Sequence, residues 1–62
     1  MQPAELKALR KSVKMTQDQL ADAVGLSRVT VGLMERGEAP IEKRTALAVR
    51  AVVAHPEWVG ID

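Results

Sequence analysis

The stretch that most constrains this chain runs from Met15 to Gly37, MTQDQLADAVGLSRVTVGLMERG. Thr16 stands where a helix would begin, and Gln19 follows three residues later. That is the spacing of a capping box, in which the Thr hydroxyl and the Gln amide each satisfy a backbone N–H that the first helical turn leaves free. Leu20 and Val24 then share one apolar stripe, with Ala21 beside it. Gly25 comes where the helix must stop, and glycine adopts a left-handed closing conformation at little cost. Leu26 is an apolar plug after the turn, and Ser27 is placed to cap a second helix. Val31 and Met34 form the inward stripe of that helix, and Gly37 ends it. Two short helices with apolar inner faces, joined by a tight glycine-containing turn, are the grammar of a helix-turn-helix, here over residues 16–36.

Length and composition narrow the setting. A chain of 62 residues is one small domain, 1–62, and a domain of that size buries only about 60% of the surface its unfolded chain exposes. With no Cys, neither disulfides nor a thiolate metal site can staple it. Helix packing, with or without a dimer interface, must hold it together. There is no signal peptide and no run of about 18 apolar residues to span a membrane. The apolar-rich segment from Ala46 to Ala54 is far too short and is interrupted by Arg50. These features suit a cytoplasmic protein. The net charge is only +1, so overall basicity does not announce a nucleic-acid partner, and the distribution of charge has to be read helix by helix.

The first helix is predicted to start near Pro3, whose fixed φ suits a first helical position. Leu6, Leu9 and Val13 share a face, and Arg10 projects into the same sector. A guanidinium at the edge of an apolar stripe needs a fixed anionic partner. Glu35, on the edge of the inner face of the second motif helix, is the predicted one. Lys7, Lys11 and Lys14 form a basic stripe on a neighbouring face, either a solvated face or an edge turned to phosphates. Met15 is a predicted core anchor. Asp18 and Asp22 lie on the side of their helix away from Leu20, so that outer face is not the one expected to meet phosphates.

The helix from about Arg28 to Arg36 carries most of the functional information. With Val31 and Met34 turned inward, Val29, Leu33 and Arg36 point the other way, with Arg28 at the N-terminal end and Gly32 and Thr30 on the flanks. Two outward apolar residues are not what a plain solvated helix favours. Gly32 costs this helix about 1 kcal/mol relative to Ala, and close approach to another surface is one candidate reason. The major groove of DNA supplies such a surface. Arg pairs bidentately with guanine O6 and N7, and Val, Leu or a Thr methyl can meet a thymine methyl. A protein surface would bury Val29 and Leu33 equally well.

Residues 37–41, GEAPI, read as a loop, and a fourth helix is expected to open at Pro40, Ile41 or Glu42. Thr45, Ala48, Val49, Val52 and Val53 make one apolar face of it, and Leu47, Ala51 and Ala54 a second. Lys43 and Arg44 sit at its start, where cations oppose the macrodipole and an external phosphate would relieve them. Pro56 stops it and can start one further turn, PEWVG. Trp58 is the only aromatic residue of the Phe, Trp and Tyr class. It either closes the core or meets a second copy of the chain. His55, the lone His, suits a cap or surface role better than a metal site.

The pattern TQxxLAxxVGLSRxTVxxxERG resembles the Cro/repressor-type helix-turn-helix proteins, the Xre family, with Gln17, Leu20, Ala21, Val24, Gly25, Ser27, Val31, Glu35 and Gly37 at family-typical spacings. The resemblance implies an all-α fold, a compact bundle of four to five short helices, that binds double-stranded DNA, usually as a homodimer. It implies base reading at Ser27, Arg28, Val29 and Leu33. It gives Gln17 a phosphate contact and a share in buttressing the recognition helix, and it gives the loop and helix start around Lys43 and Arg44 further backbone contacts. Thr30, on a flank of the recognition helix, and Arg36, at its end, join that second group as backbone or flank contacts. It implies a structural Arg10–Glu35 bridge and a Trp such as Trp58 in a short fifth helix. Many members carry Gln or another polar residue where this chain has Val29 and Leu33, and Gly32 has no side chain with which to read a base.

No enzyme is legible. There is no Cys, no Gly-rich phosphate loop and no HExxH pattern, and the single His has no acidic or Ser partner at a motif spacing. No cofactor or metal is implied. The sequence therefore predicts a small transcriptional regulator, a repressor occupying a near-palindromic operator as a dimer. Two alternatives use the same fold: an antitoxin that binds a toxin protein, and a protein-interaction module anchored by Val29 and Leu33.

Overall fold

In a computed structural model, described for residues 1–58, the chain folds as α1 (Pro3–Ser12), α2 (Gln17–Val24), α3 (Arg28–Glu35) and α4 (Lys43–Ala54), followed by a 3₁₀ turn at Pro56–Trp58. The described residues are helical or irregular, with no strand among them. Part of the expected one-turn PEWVG helix, residues 59–60, lies outside the described residues.

Local chemistry sets the helix ends. The Thr16 hydroxyl accepts from the Gln19 N–H at 3.1 Å, and Gln19 Oε1 accepts from the Thr16 N–H at 2.9 Å, completing the capping box of α2. Ser27 Oγ accepts from the Thr30 N–H at 3.1 Å and caps α3. Gly25 closes α2 at φ 76°, with the Leu26 N–H bonded back to the Ala21 carbonyl. Gly37 closes α3 at φ 78° in the same way, with Glu38 bonded back to Leu33. Helix α1 ends by the same device, Met15 bonding back to Arg10, but the left-handed residue is Lys14 at φ 59°. Helix α4 begins at Lys43, one residue later than the latest start expected from sequence, with Glu42 as N-cap making no side-chain cap bond.

Leu6, Met15, Leu20, Ala21, Val31, Met34, Val49 and Val52 form one buried cluster drawn from all four helices. Helices α2 and α3 pack on each other, α1 lies against α3 and α4, and α4 also supports α2. This arrangement fixes α3 from behind and leaves its opposite face outward.

Helix α4 and Trp58 lie as follows. Helix α4 buries Ala46, Val49 and Val52, while Leu47 on its second apolar face is 57% exposed. The helix is therefore half sunk in the bundle, because α1 and α2 cover only one side of it. Trp58 does not close the core. It is 51% exposed and stacks on the His55 ring at 4.2 Å between centroids, since the turn packs along the end of α4.

Candidate nucleic-acid interface

The site is built on the back of α3. Glu35, the last residue of that helix, faces α1 and α2. Arg10 donates Nε to Glu35 Oε2 at 2.7 Å and Nη2 to Oε1 at 3.1 Å. Its remaining Nη1 donates to the Met15 carbonyl at 2.8 Å. Gln17 Nε2 donates to the same Glu35 Oε1 at 3.1 Å. One carboxylate, its side chain only 3% exposed, thus joins α1, the first residue of α2 and the end of α3. Burial pushes Glu35 toward protonation. The bonds from Arg10 and Gln17, with the charges of Arg10 and Lys7, outweigh that and hold the carboxyl below its ordinary value. Among the described residues no buried side-chain polar atom lacks a partner.

With α3 held in this way, Gln17, Arg28, Val29, Gly32 and Arg36 line one shallow concavity of about 160 Å³. Val29 is 64% exposed and Arg28 is exposed beside it. Gly32 is buried, and the cause lies within the molecule: a methyl placed there would sit 3.2 Å from Arg36 Nη1 and 3.7 Å from Gln17 Oε1. Arg36 therefore folds back over bare helix backbone, as helical side chains lean toward the N-terminus. Its Nε is bonded to Glu38 Oε2 at 2.5 Å, a partnership in the loop after α3 that helical periodicity does not reveal.

The other sequence-predicted residues are placed as follows. Ser27 and Thr30 are engaged with each other, their hydroxyl oxygens 2.9 Å apart. Leu33 is half-buried, so the outward apolar surface of α3 rests mainly on Val29. Lys43 and Arg44 are exposed in the first turn of α4. Arg44 Nε lies 3.5 Å from Glu42 Oε2, so an acidic neighbour already offsets part of the cationic mismatch at that helix start. Arg44 does not share the concavity of α3. It lines a second hollow of about 370 Å³, with Val24, Leu26, Glu42, Thr45 and Ala48. Trp58 lies beyond α4, away from these groups in the chain. Glu38 and Glu42 were missed as partners of Arg36 and Arg44. The available signal was an opposite charge two residues away in a loop. Among the described residues, no group of three His, Cys, Asp or Glu side chains is placed to hold a metal ion, and no helix is long and apolar enough to cross a membrane.

A helix-turn-helix family model matches residues 6–52, from the buried face of α1 through nearly all of α4. Neither curated proteins nor solved structures gave a significant match. The matched span takes in most of α1 and α4 and the whole of the capped α2–turn–α3 unit. The chain belongs to the helix-turn-helix family of the Cro/repressor (Xre) type, a family of DNA-binding transcriptional regulators.

Proposed function

We propose that the chain works in the cytoplasm as a single DNA-binding domain, a repressor, two copies of which occupy a near-palindromic operator with half-sites about one helical turn apart. The observation that carries this reading is the two-sidedness of α3. Val31 and Met34 are sunk in the core, a 64% exposed Val29 stands on the opposite side, and Arg28 is exposed at the N-terminal end of the helix. In this reading α3 enters the major groove. Arg28 is directed at guanine, Val29 at a thymine methyl, and Ser27 and Leu33 at the edges of the same steps. Gln17 opens α2 beside the concavity, and its backbone N–H belongs to the group a helix start leaves free for a phosphate. Thr30, Arg36, Lys43 and Arg44 add contacts at the flanks and backbone. Exposed Leu47 and Trp58 supply apolar surface for pairing two copies.

The test is selection of bound duplexes from a pool with a random core, read by sequencing. Enrichment of a two-fold-symmetric site supports a dimeric repressor. Enrichment of a single half-site keeps the DNA reading and removes the dimer. Weak, unselective binding that disappears in modest salt contradicts sequence-specific recognition, and Val29 is then the first anchor to examine for a protein partner.

A further inference from the structure

We infer that Arg36 is a second specificity-determining residue of this interface, a guanine-directed guanidinium held in register by Glu38 and seated on the bare backbone at Gly32. The inference rests on the DNA-binding reading above and goes beyond it, because that reading places Arg36 only at the flank.

Three observations converge. Arg28 and Gly32 of α3 and Arg36 at its C-cap are spaced four residues apart and line the same concavity with Gln17 and Val29. Arg36 does not extend away from the helix end. Its Nη1 lies 3.2 Å from where a Cβ on Gly32 would be. Its Nε is bonded to Glu38, and both side chains are more than half exposed, at 60% and 57%. Neither partner is needed to fill the core.

The chemistry follows from which edge of the guanidinium is used. A carboxylate on Nε biases the orientation of the group and does not use the Nη1/Nη2 edge. That edge presents the paired donors that match the adjacent O6 and N7 acceptors of guanine in the major groove. An unanchored surface Arg would lose several rotamers on binding, whereas one already tied down loses fewer. Glu38 is thus a positioning residue. Gly32 is the third part of the device, since a Cβ there would stand 3.2 Å from Nη1 and shift the guanidinium by a few tenths of an ångström. The glycine that weakens α3 makes room for an arginine side chain from one turn further along the helix.

Duplex selection with four proteins tests this: the wild type, Arg36→Lys, Glu38→Gln and Gly32→Ala. Lys keeps the charge but not the fork. Arg36→Lys is expected to lose about ten-fold of the preference for guanine at one base pair per half-site, with an unchanged salt slope. Glu38→Gln is expected to blunt the same base pair while tightening binding to all sequences, because a negative charge has left the interface. Gly32→Ala is expected to blunt that base pair too, while raising the melting temperature. Loss spread evenly over all sequences in Arg36→Lys assigns the residue to phosphate and overturns the inference, as does an unaltered preference in Arg36→Lys and Glu38→Gln. A wild type that enriches a site which Arg36→Lys enriches unchanged overturns this inference alone. A wild type that enriches nothing overturns it together with the reading on which it rests.

Discussion

Arg10 meets Glu35 edge to edge, Nε to Oε2 at 2.7 Å and Nη2 to Oε1 at 3.1 Å, across 25 residues of sequence. The pair couples the first helix to the end of the helix that bears the candidate reading surface. The side chains are 11% and 3% exposed, so each charge relies on the other in place of water. Replacing one partner strands the second. Arg10→Ala and Glu35→Ala are each expected to cost about 3–5 kcal/mol, a large share of the stability of a domain this small. Thermal denaturation followed by circular dichroism checks this. The double variant Arg10→Ala with Glu35→Ala is expected to lose clearly less than the two single losses added together. Full additivity would mean that the pair is not coupled.

The same carboxylate sets an acid limit. Glu35 is held below its ordinary value of 4.5 in the fold and returns to it on unfolding. The stability it contributes is therefore fully present above about pH 4.5 and is lost as pH falls through the lower folded value. Urea midpoints measured from pH 7 to pH 3 are expected to fall steeply in the wild type below that point. In Glu35→Gln the curve should start lower and be flatter in the same window. Parallel curves would remove Glu35 from the acid response.

Lys14 is expected to yield to glycine. It closes α1 at φ 59°, where Gly25 and Gly37 close α2 and α3. A side chain in that conformation is disfavoured, and glycine is not. Lys14→Gly is expected to stabilise the domain by about 0.5–1 kcal/mol, read as a higher melting temperature. If Lys14 also attracts phosphate, the same variant will bind all DNA sequences more weakly while being more stable.

The start of α4 has a separate electrostatic test. Lys43→Ala and Arg44→Ala are expected to weaken binding to every duplex and to lower the slope of log K against log salt by about one each, as for the loss of one phosphate contact. Glu42→Gln frees Arg44 from its 3.5 Å partner and is expected to act in the opposite direction on affinity. Unchanged salt slopes in both alanine variants would take this helix start out of the interface.

Much of this architecture was legible because helix ends are written in local chemistry. Thr16 with Gln19, Gly25 and Ser27 act within a few residues of themselves, so their roles follow from spacing alone. The Arg10–Glu35 pair was legible for a related reason: two charges at the edges of two apolar stripes must find each other once the stripes pack. What was not legible depends on how much each neighbour covers. The sequence gives α4 two apolar faces but cannot say that Leu47 stays out while Ala46 goes in. Trp58 looks like core by size, yet the chain leaves α4 at an angle that stacks it on His55 instead. Gly32 suggested an approaching surface, and in the fold the group nearest to it is the side chain of Arg36. Lys14 gave no warning, because its left-handed backbone is imposed by the bond between Met15 and Arg10 rather than by its own type.

The central claim is that α3 reads bases through Arg28. The most direct measurement is fluorescence anisotropy of wild type and Arg28→Ala on the duplex selected by the wild type and on a scrambled duplex of equal length, at two salt concentrations. The account predicts that Arg28→Ala loses about 1–3 kcal/mol on the selected duplex and little on the scrambled one, so that the ratio between them collapses. Equal loss on both duplexes, or no loss on either, would contradict base reading by this residue.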